Sequence, residues 1–139
     1  NQALQDGYSV GWGCDVSQKG FSHRNSVAIN PEKSWEAMTE AEVDSAFHYP
    51  VPQAEVTQEM RQETYNNYQT TDDHMMHLTG LAEDQNGNPY YLVKNSWGQN
   101  SNQCGGYLYA TESYFKAKTL TIVVHKDAIP DGIADKLDL

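Results

Sequence analysis

Apolar and polar residues alternate from His74 to Leu81, and H-M-M-H-L-T-G-L reads as one strand with His74, Met76, Leu78 and Gly80 on one face. Asn86-Gly87, inside E-D-Q-N-G-N-P, is a hairpin dipeptide, and Tyr90 to Trp97 is the returning strand. On that strand Tyr91, Val93, Asn95 and Trp97 share a face. Earlier in the chain, Tyr8 to Val16 predicts a strand bent by Gly11 and Gly13. The polar stretch from Gly20 to Ser34 predicts an excursion over the surface. Thr39 and Glu42 have capping-box spacing and open a short helix to about Phe47, which Pro50 and Pro52 end. A second helix is expected from Thr57 to Gln69, with Met60, Thr64 and Tyr68 on one face, and Thr70 to Asp73 breaks it. Gly106 to Thr111 and Thr119 to His125 predict two more strands, separated by a helical turn at Ser113 to Lys116. The tail, with Pro130 and Gly132, predicts a single helical turn reaching Leu139. An antiparallel sheet with helices ahead of it makes the chain α+β.

Length and composition bound this picture. The 139 residues suit one domain, and an apolar share of 38% supports a core rich in its three Trp and nine Tyr. No apolar run approaches the roughly 20 residues of a membrane span. Nine basic against nineteen acidic residues give a net charge of −10, which argues against nucleic acid as a partner. Cys14 and Cys104 are too few for a disulfide scaffold; one bridge or two buried free thiols both fit. The first residues lack the basic and apolar regions of a signal peptide, so a cytoplasmic and a periplasmic or secreted location both stay open.

The hairpin holds the chemistry. His74 opens it and Asn95 lies near its close, so both sit at the same open end. A thiol nucleophile needs a base, and the base needs a third group to hold its ring. An Asn oxygen can accept one imidazole N–H and leave the other nitrogen facing a sulfur, and Trp97 can shield that bond from water. A satisfied structural histidine is the bland reading of His74 taken alone. The order Cys14, His74, Asn95 imitates a complete triad. H-M-M-H with Asp72 and Asp73 raises a metal site, but strand residues three apart point to opposite faces, so none is expected. Asp72 and Asp73 read as a solvated turn, and no spacing selects two carboxylates for a glycosidase.

Lys94 to Gly98, K-N-S-W-G, resembles the signature around the catalytic Asn of papain-like cysteine peptidases, and Asp73 to Gly80, D-H-M-M-H-L-T-G, resembles the segment around their catalytic His. The chain is most similar to the bleomycin hydrolase and aminopeptidase C branch. Trp12-Gly13-Cys14-Asp15-Val16, Gly106-Tyr107, Tyr114-Phe115 and Val123 to Lys126 carry that similarity, which runs from about Val10 to Pro130. The resemblance implies that residues 1–139 are the C-terminal, β-rich part of a papain-like peptidase domain, with His74 as general base and Asn95 as its orienter. The family holds its nucleophilic Cys on a helix about 130–150 residues ahead of the His. Cys14 lies less than half that distance ahead, so the resemblance makes Cys14 structural, Cys104 a loop thiol, and the Cys-bearing N-terminal half, with its oxyanion Gln, absent from this chain. It further implies peptide substrates with a free N-terminus, hydrolysis through a thioester, no cofactor, and a homo-oligomer of hexameric type. In that branch the C-terminal tail enters the cleft and limits cleavage to one end; Ala128 to Leu139 does not match the usual tail. Some members bind DNA through a basic channel, which the charge here opposes. The competing reading is a non-catalytic acidic β-rich binding module.

Overall fold

The computed structural model describes residues 1–138; Leu139, the expected end of the terminal helical turn, lies outside the described residues. Seven strands form one sheet: β1 (Val10–Cys14), β2 (Phe21–Ser22), β3 (Val27–Ala28), β4 (His74–Glu83), β5 (Pro89–Lys94), β6 (Tyr107–Thr111) and β7 (Thr119–Val123). Their order is β2-β3-β6-β5-β4-β1-β7. Every pair is antiparallel except β3–β6, which is parallel, so the sheet is mixed. The helices are short: α1 (Gln2–Gln5), α2 (Glu40–Ala46), α3 (Gln58–Asn66), α4 (Glu112–Lys118) and α5 (Asp131–Leu137). The architecture is α+β.

The strand expected at Tyr8 to Val16 is shorter and lies inside the sheet between β4 and β7. Its glycines are there for close approach. A Cβ on Gly13 would sit 2.2 Å from Thr121 Oγ1, and one on Gly11 would sit 3.1 Å from Val123 Cβ. Trp12 between them is fully buried and donates its indole N–H to Thr119 Oγ1 at 2.8 Å. Burial of Val10, Trp12, Cys14, Met76, Leu78, Tyr91, Val93, Leu108, Ala110 and Tyr114 makes one core on one face of the sheet. The alternate residues Met75, His77, Lys94 and Tyr109 stay exposed, as expected for a sheet covered on one side.

The alternation along β4 holds for His74, Met76 and Leu78 and fails at Gly80. Leu78 pairs with Val93 while Gly80 pairs with Leu92, so Thr79 is an extra residue, a β-bulge. A Cβ on Gly80 would meet Leu92 Cβ at 3.8 Å, which places it on the face opposite Leu78. The turn forms where Asn86-Gly87 predicts it, with Gly87 at φ 80° and Asp84 Oδ1 accepting the backbone N–H groups of Asn86 and Asn88.

The capping box at Thr39 forms as the spacing predicts: Thr39 Oγ1 accepts from the Glu42 N–H, and Glu42 Oε2 accepts from the Thr39 N–H. The stretch from Gly20 to Ser34 departs from expectation. It supplies β2 and β3, and Gly20, Ser26, Ala28 and Ile29 are buried; a Cβ on Gly20 would strike the Ile29 carbonyl oxygen. Helix α3 forms inside the expected span, with Thr57 as its N-cap. It buries no residue, Met60 and Tyr68 lie open to solvent, and Arg61 ties it to the body by donating to the Thr119 carbonyl at 2.7 Å.

Candidate active site

His74 is the first residue of β4, and what precedes it is fixed by β1. Beyond Cys14 the chain continues through Asp15, a buried carboxylate that accepts from the N–H groups of Ser17 and Thr71 and from Gln18 Nε2. Asp73 accepts in turn from the N–H groups of Val16 and Ser17 and from the Ser17 hydroxyl. Asp73 therefore clamps the backbone immediately ahead of His74 while staying exposed, as the sequence suggests. Partial burial would raise its pKa, but these hydrogen bonds outweigh that and hold it below the usual carboxylate range.

The half-buried His74 ring and the buried Asn95 amide meet: His74 Nε2 lies 2.8 Å from Asn95 Oδ1. The bulge at Thr79 makes this meeting possible. The last ladder pair, His77 with Lys94, continues in register to place Asn95 across from Met76, on the His74 face. Without the extra residue, the register of the outer hairpin would place Asn95 across from His77, and Asn95 and His74 would project from opposite faces. Asn95 is fixed further by its own N–H, which donates to the Gly106 carbonyl at 3.0 Å, and by the Ser96 N–H, which donates to Oδ1 at 2.7 Å. Nδ1 of His74 has no hydrogen-bond partner among the described residues.

Trp97 packs over the pair, its ring centroid 5.2 Å from that of His74 at 43°. Strand β5 has ended by then, and the loop to β6 turns on Gly98, Gly105 and Gly106, all at positive φ. Asn102 holds this loop closed, accepting from the N–H groups of Cys104 and Gly106 and donating to the carbonyls of His23 and Tyr107. His23 is a member of the site that the sequence reading missed. It follows β2, and its ring lies 4.6 Å from Trp97, with Nδ1 3.3 Å from Asn95 Nδ2 and Nε2 2.7 Å from Ser101 Oγ. No local pattern marks it, because pairing of β2 with β3 and of β3 with β6 is what brings it there.

The other sequence candidates lie apart. Cys14 sits across from His74 in the β1–β4 ladder and is fully buried. Burial, then the charges of Asp73, Asp15 and Asp72, push its thiol far above the ordinary range, so it stays protonated. Cys104 is exposed in the glycine loop, and neither thiol is in a disulfide. His77 points to the open face and bonds Ser9 Oγ at 2.8 Å, away from His74. Depressions of about 680 Å³ beside Arg61 and Tyr65 and about 660 Å³ beside Met38 and Val51 do not include His74 or Asn95. No helix among the described residues is long and apolar enough to cross a membrane.

Three comparisons bear on this arrangement. The model of the Peptidase C1-like family matches residues 1–139. Among solved structures, PepW from Lactobacillus rhamnosis HN001 is similar at 22% identity with a TM-score of 0.65, over 98% of this chain and 27% of PepW. That likeness carries the papain-like fold, and the chain spans about a quarter of the length of PepW. The Amb a 11 cysteine protease of ragweed pollen, in its proform, matches at 16% identity and TM-score 0.42 over 84% of this chain and 26% of its own. Bromelain from Ananas comosus, in complex with the E64 inhibitor, matches at 15% and 0.42 over 84% of this chain and 40% of its own. No curated protein matches the chain. A match along the whole sequence, on a papain-like α+β fold, places the chain in a family: it belongs to the Peptidase C1-like family.

Proposed function

We propose that this chain supplies the general base and its orienting amide to a cysteine peptidase, with His74 as base and Asn95 as orienter. The observation that carries the reading is the 2.8 Å contact between His74 Nε2 and Asn95 Oδ1, with Trp97 packed against the imidazole. Asn95 Oδ1 is an acceptor, so His74 donates from Nε2 and Nδ1 is free to face a thiol. The nucleophilic Cys and the oxyanion donors come from polypeptide outside these residues. A Cys thiol delivers its proton to His74 Nδ1, giving a thiolate and imidazolium. The thiolate attacks the peptide carbonyl, the imidazolium returns the proton to the leaving amine, and a thioester remains. His74 then takes a proton from water as the water attacks the thioester, and the acid is released. Peptides with a free N-terminus are the expected substrates, on the branch's pattern.

In the full-length peptidase, His74→Ala is expected to lower kcat/KM for an aminoacyl fluorogenic amide by about three orders of magnitude or more. Asn95→Ala is expected to cost less, since the ring remains but is no longer held. An unchanged rate for His74→Ala would refute the assignment and favour a non-catalytic acidic binding module.

A further inference from the structure

We propose that His23 is a positioning residue for the catalytic pair, a neutral ring protonated at Nε2 that holds the Asn95 amide so that its oxygen faces His74. The inference deepens the peptidase reading and rests on it for its kinetic arm. Proton bookkeeping along the chain of contacts carries it. Ser101 has one hydroxyl proton and donates it to the Gly98 carbonyl at 2.6 Å, which can only accept. Toward His23 Nε2, 2.7 Å away, Ser101 Oγ must therefore accept, and Nε2 carries the hydrogen. A neutral ring then has its lone pair at Nδ1, and Asn95 Nδ2, 3.3 Å away, donates to it. The amide oxygen is thereby turned to His74. The Ser96 N–H, which needs an oxygen to accept it, requires the same orientation from the other side. Every proton from Gly98 to His74 Nε2 is assigned, and Nδ1 of His74 is what remains for a nucleophile.

A protonated His23 breaks this chain. Its Nδ1–H would oppose the Asn95 NH₂, and its charge would oppose an imidazolium at His74. Burial, then the neighbouring His74, hold the His23 pKa below that of a free histidine, which favours the neutral ring that the contacts require. His74, from β4, is the titratable group that faces it. The loop after β5 contributes Asn95, Trp97, Ser101 and Asn102, none of which titrates, and Arg24 is its chain neighbour. As pH falls through the His23 pKa the arrangement is lost, so part of the acid limb of turnover belongs to His23.

The test uses the full-length peptidase with His23→Phe, which fills the space without an acceptor, and His23→Asn, whose Oδ1 can stand where Nδ1 stood and does not titrate. His23→Phe is expected to lower kcat about ten-fold with KM changed less than about two-fold, as for a buried donor left without an acceptor. His23→Asn is expected to recover most of that loss and to move the acid limb of kcat/KM to lower pH. A folded His23→Phe enzyme with wild-type kcat and an unchanged acid limb would overturn the proposal, as would a His23→Asn enzyme impaired as badly as His23→Phe. Histidine nitrogen-15 NMR separates this from the peptidase reading. His74 is expected to be Nε2-protonated in the wild type and to lose that preference in His23→Phe, whether or not the protein turns over substrate. A wild type that shows this response but no peptidase activity sinks the peptidase reading alone. An active wild type whose His74 signals are unmoved by His23→Phe sinks the positioning role alone.

Discussion

Cys14 faces His74 across β1 and β4, yet a thiol held there is chemically quiet. It is enclosed by Trp12, Met76 and Tyr114 in the core cluster and lies near three carboxylates, all of which disfavour the thiolate. Cys14→Ser in the full-length protein is expected to cost about 1–3 kcal/mol in denaturant stability, from a hydroxyl placed in an apolar site, with turnover per folded molecule unchanged. Abolished turnover with intact folding would instead make Cys14 the nucleophile. Asp73 gives a pH signature. Its pKa is lowered in the fold, so its contribution is complete above the unfolded value of about 3.9 and is lost as pH falls through the native one. Denaturation midpoints of wild type and Asp73→Asn are expected to differ at neutral pH and to converge in strong acid. A constant gap down to about pH 2 would show that the clamp acts through shape and not charge.

At the scale of elements, β1 is the member on which the site depends, because it is paired on both sides and its extension holds the segment ahead of His74. Its glycines make the β7 side of that pairing possible. Gly13→Ala brings a methyl against Thr121 Oγ1 and is expected to destabilise the protein by about 1–3 kcal/mol, the usual cost of overpacking. Thr121→Ala removes the opposed oxygen, so the double variant is expected to recover much of the loss. Additive losses in a thermal or denaturant cycle would show that the backbone itself, not the Thr121 side chain, rejects the methyl. The bulge at Thr79 acts on the other side of β4, setting whether His74 and Asn95 project from the same face.

For the whole molecule, the His–Asn pair lies on the packed face of the sheet, and the chain corresponds to 27% of the length of PepW. The reaction proposed for His74 and Asn95 needs a second element carrying the thiol. The isolated 139-residue chain is accordingly expected to show no turnover of an aminoacyl fluorogenic amide. Turnover that is abolished by Cys14→Ser would overthrow both this expectation and the assignment of the nucleophile to another part of the polypeptide.

The sequence by itself determined what depends on neighbours a few residues apart. The alternation at His74 to Leu78 and at Tyr91 to Asn95, the Asn86-Gly87 turn, and the Thr39–Glu42 cap are all short-range, and each is found where the pattern placed it. The K-N-S-W-G and D-H-M-M-H segments likewise singled out His74 and Asn95 before their contact was known. Tertiary structure alone decided the rest. The hairpin register slips between the Leu78–Val93 and Gly80–Leu92 pairs, and a one-residue slip decides whether Asn95 and His74 share a face. The place of β1 between β4 and β7 is a long-range pairing, visible beforehand only as two glycines whose neighbours were unknown. His23 carried no signal at all, because its role exists only once β3 has paired with β6 and folded the ring against Asn95, and that partnership spans most of the chain.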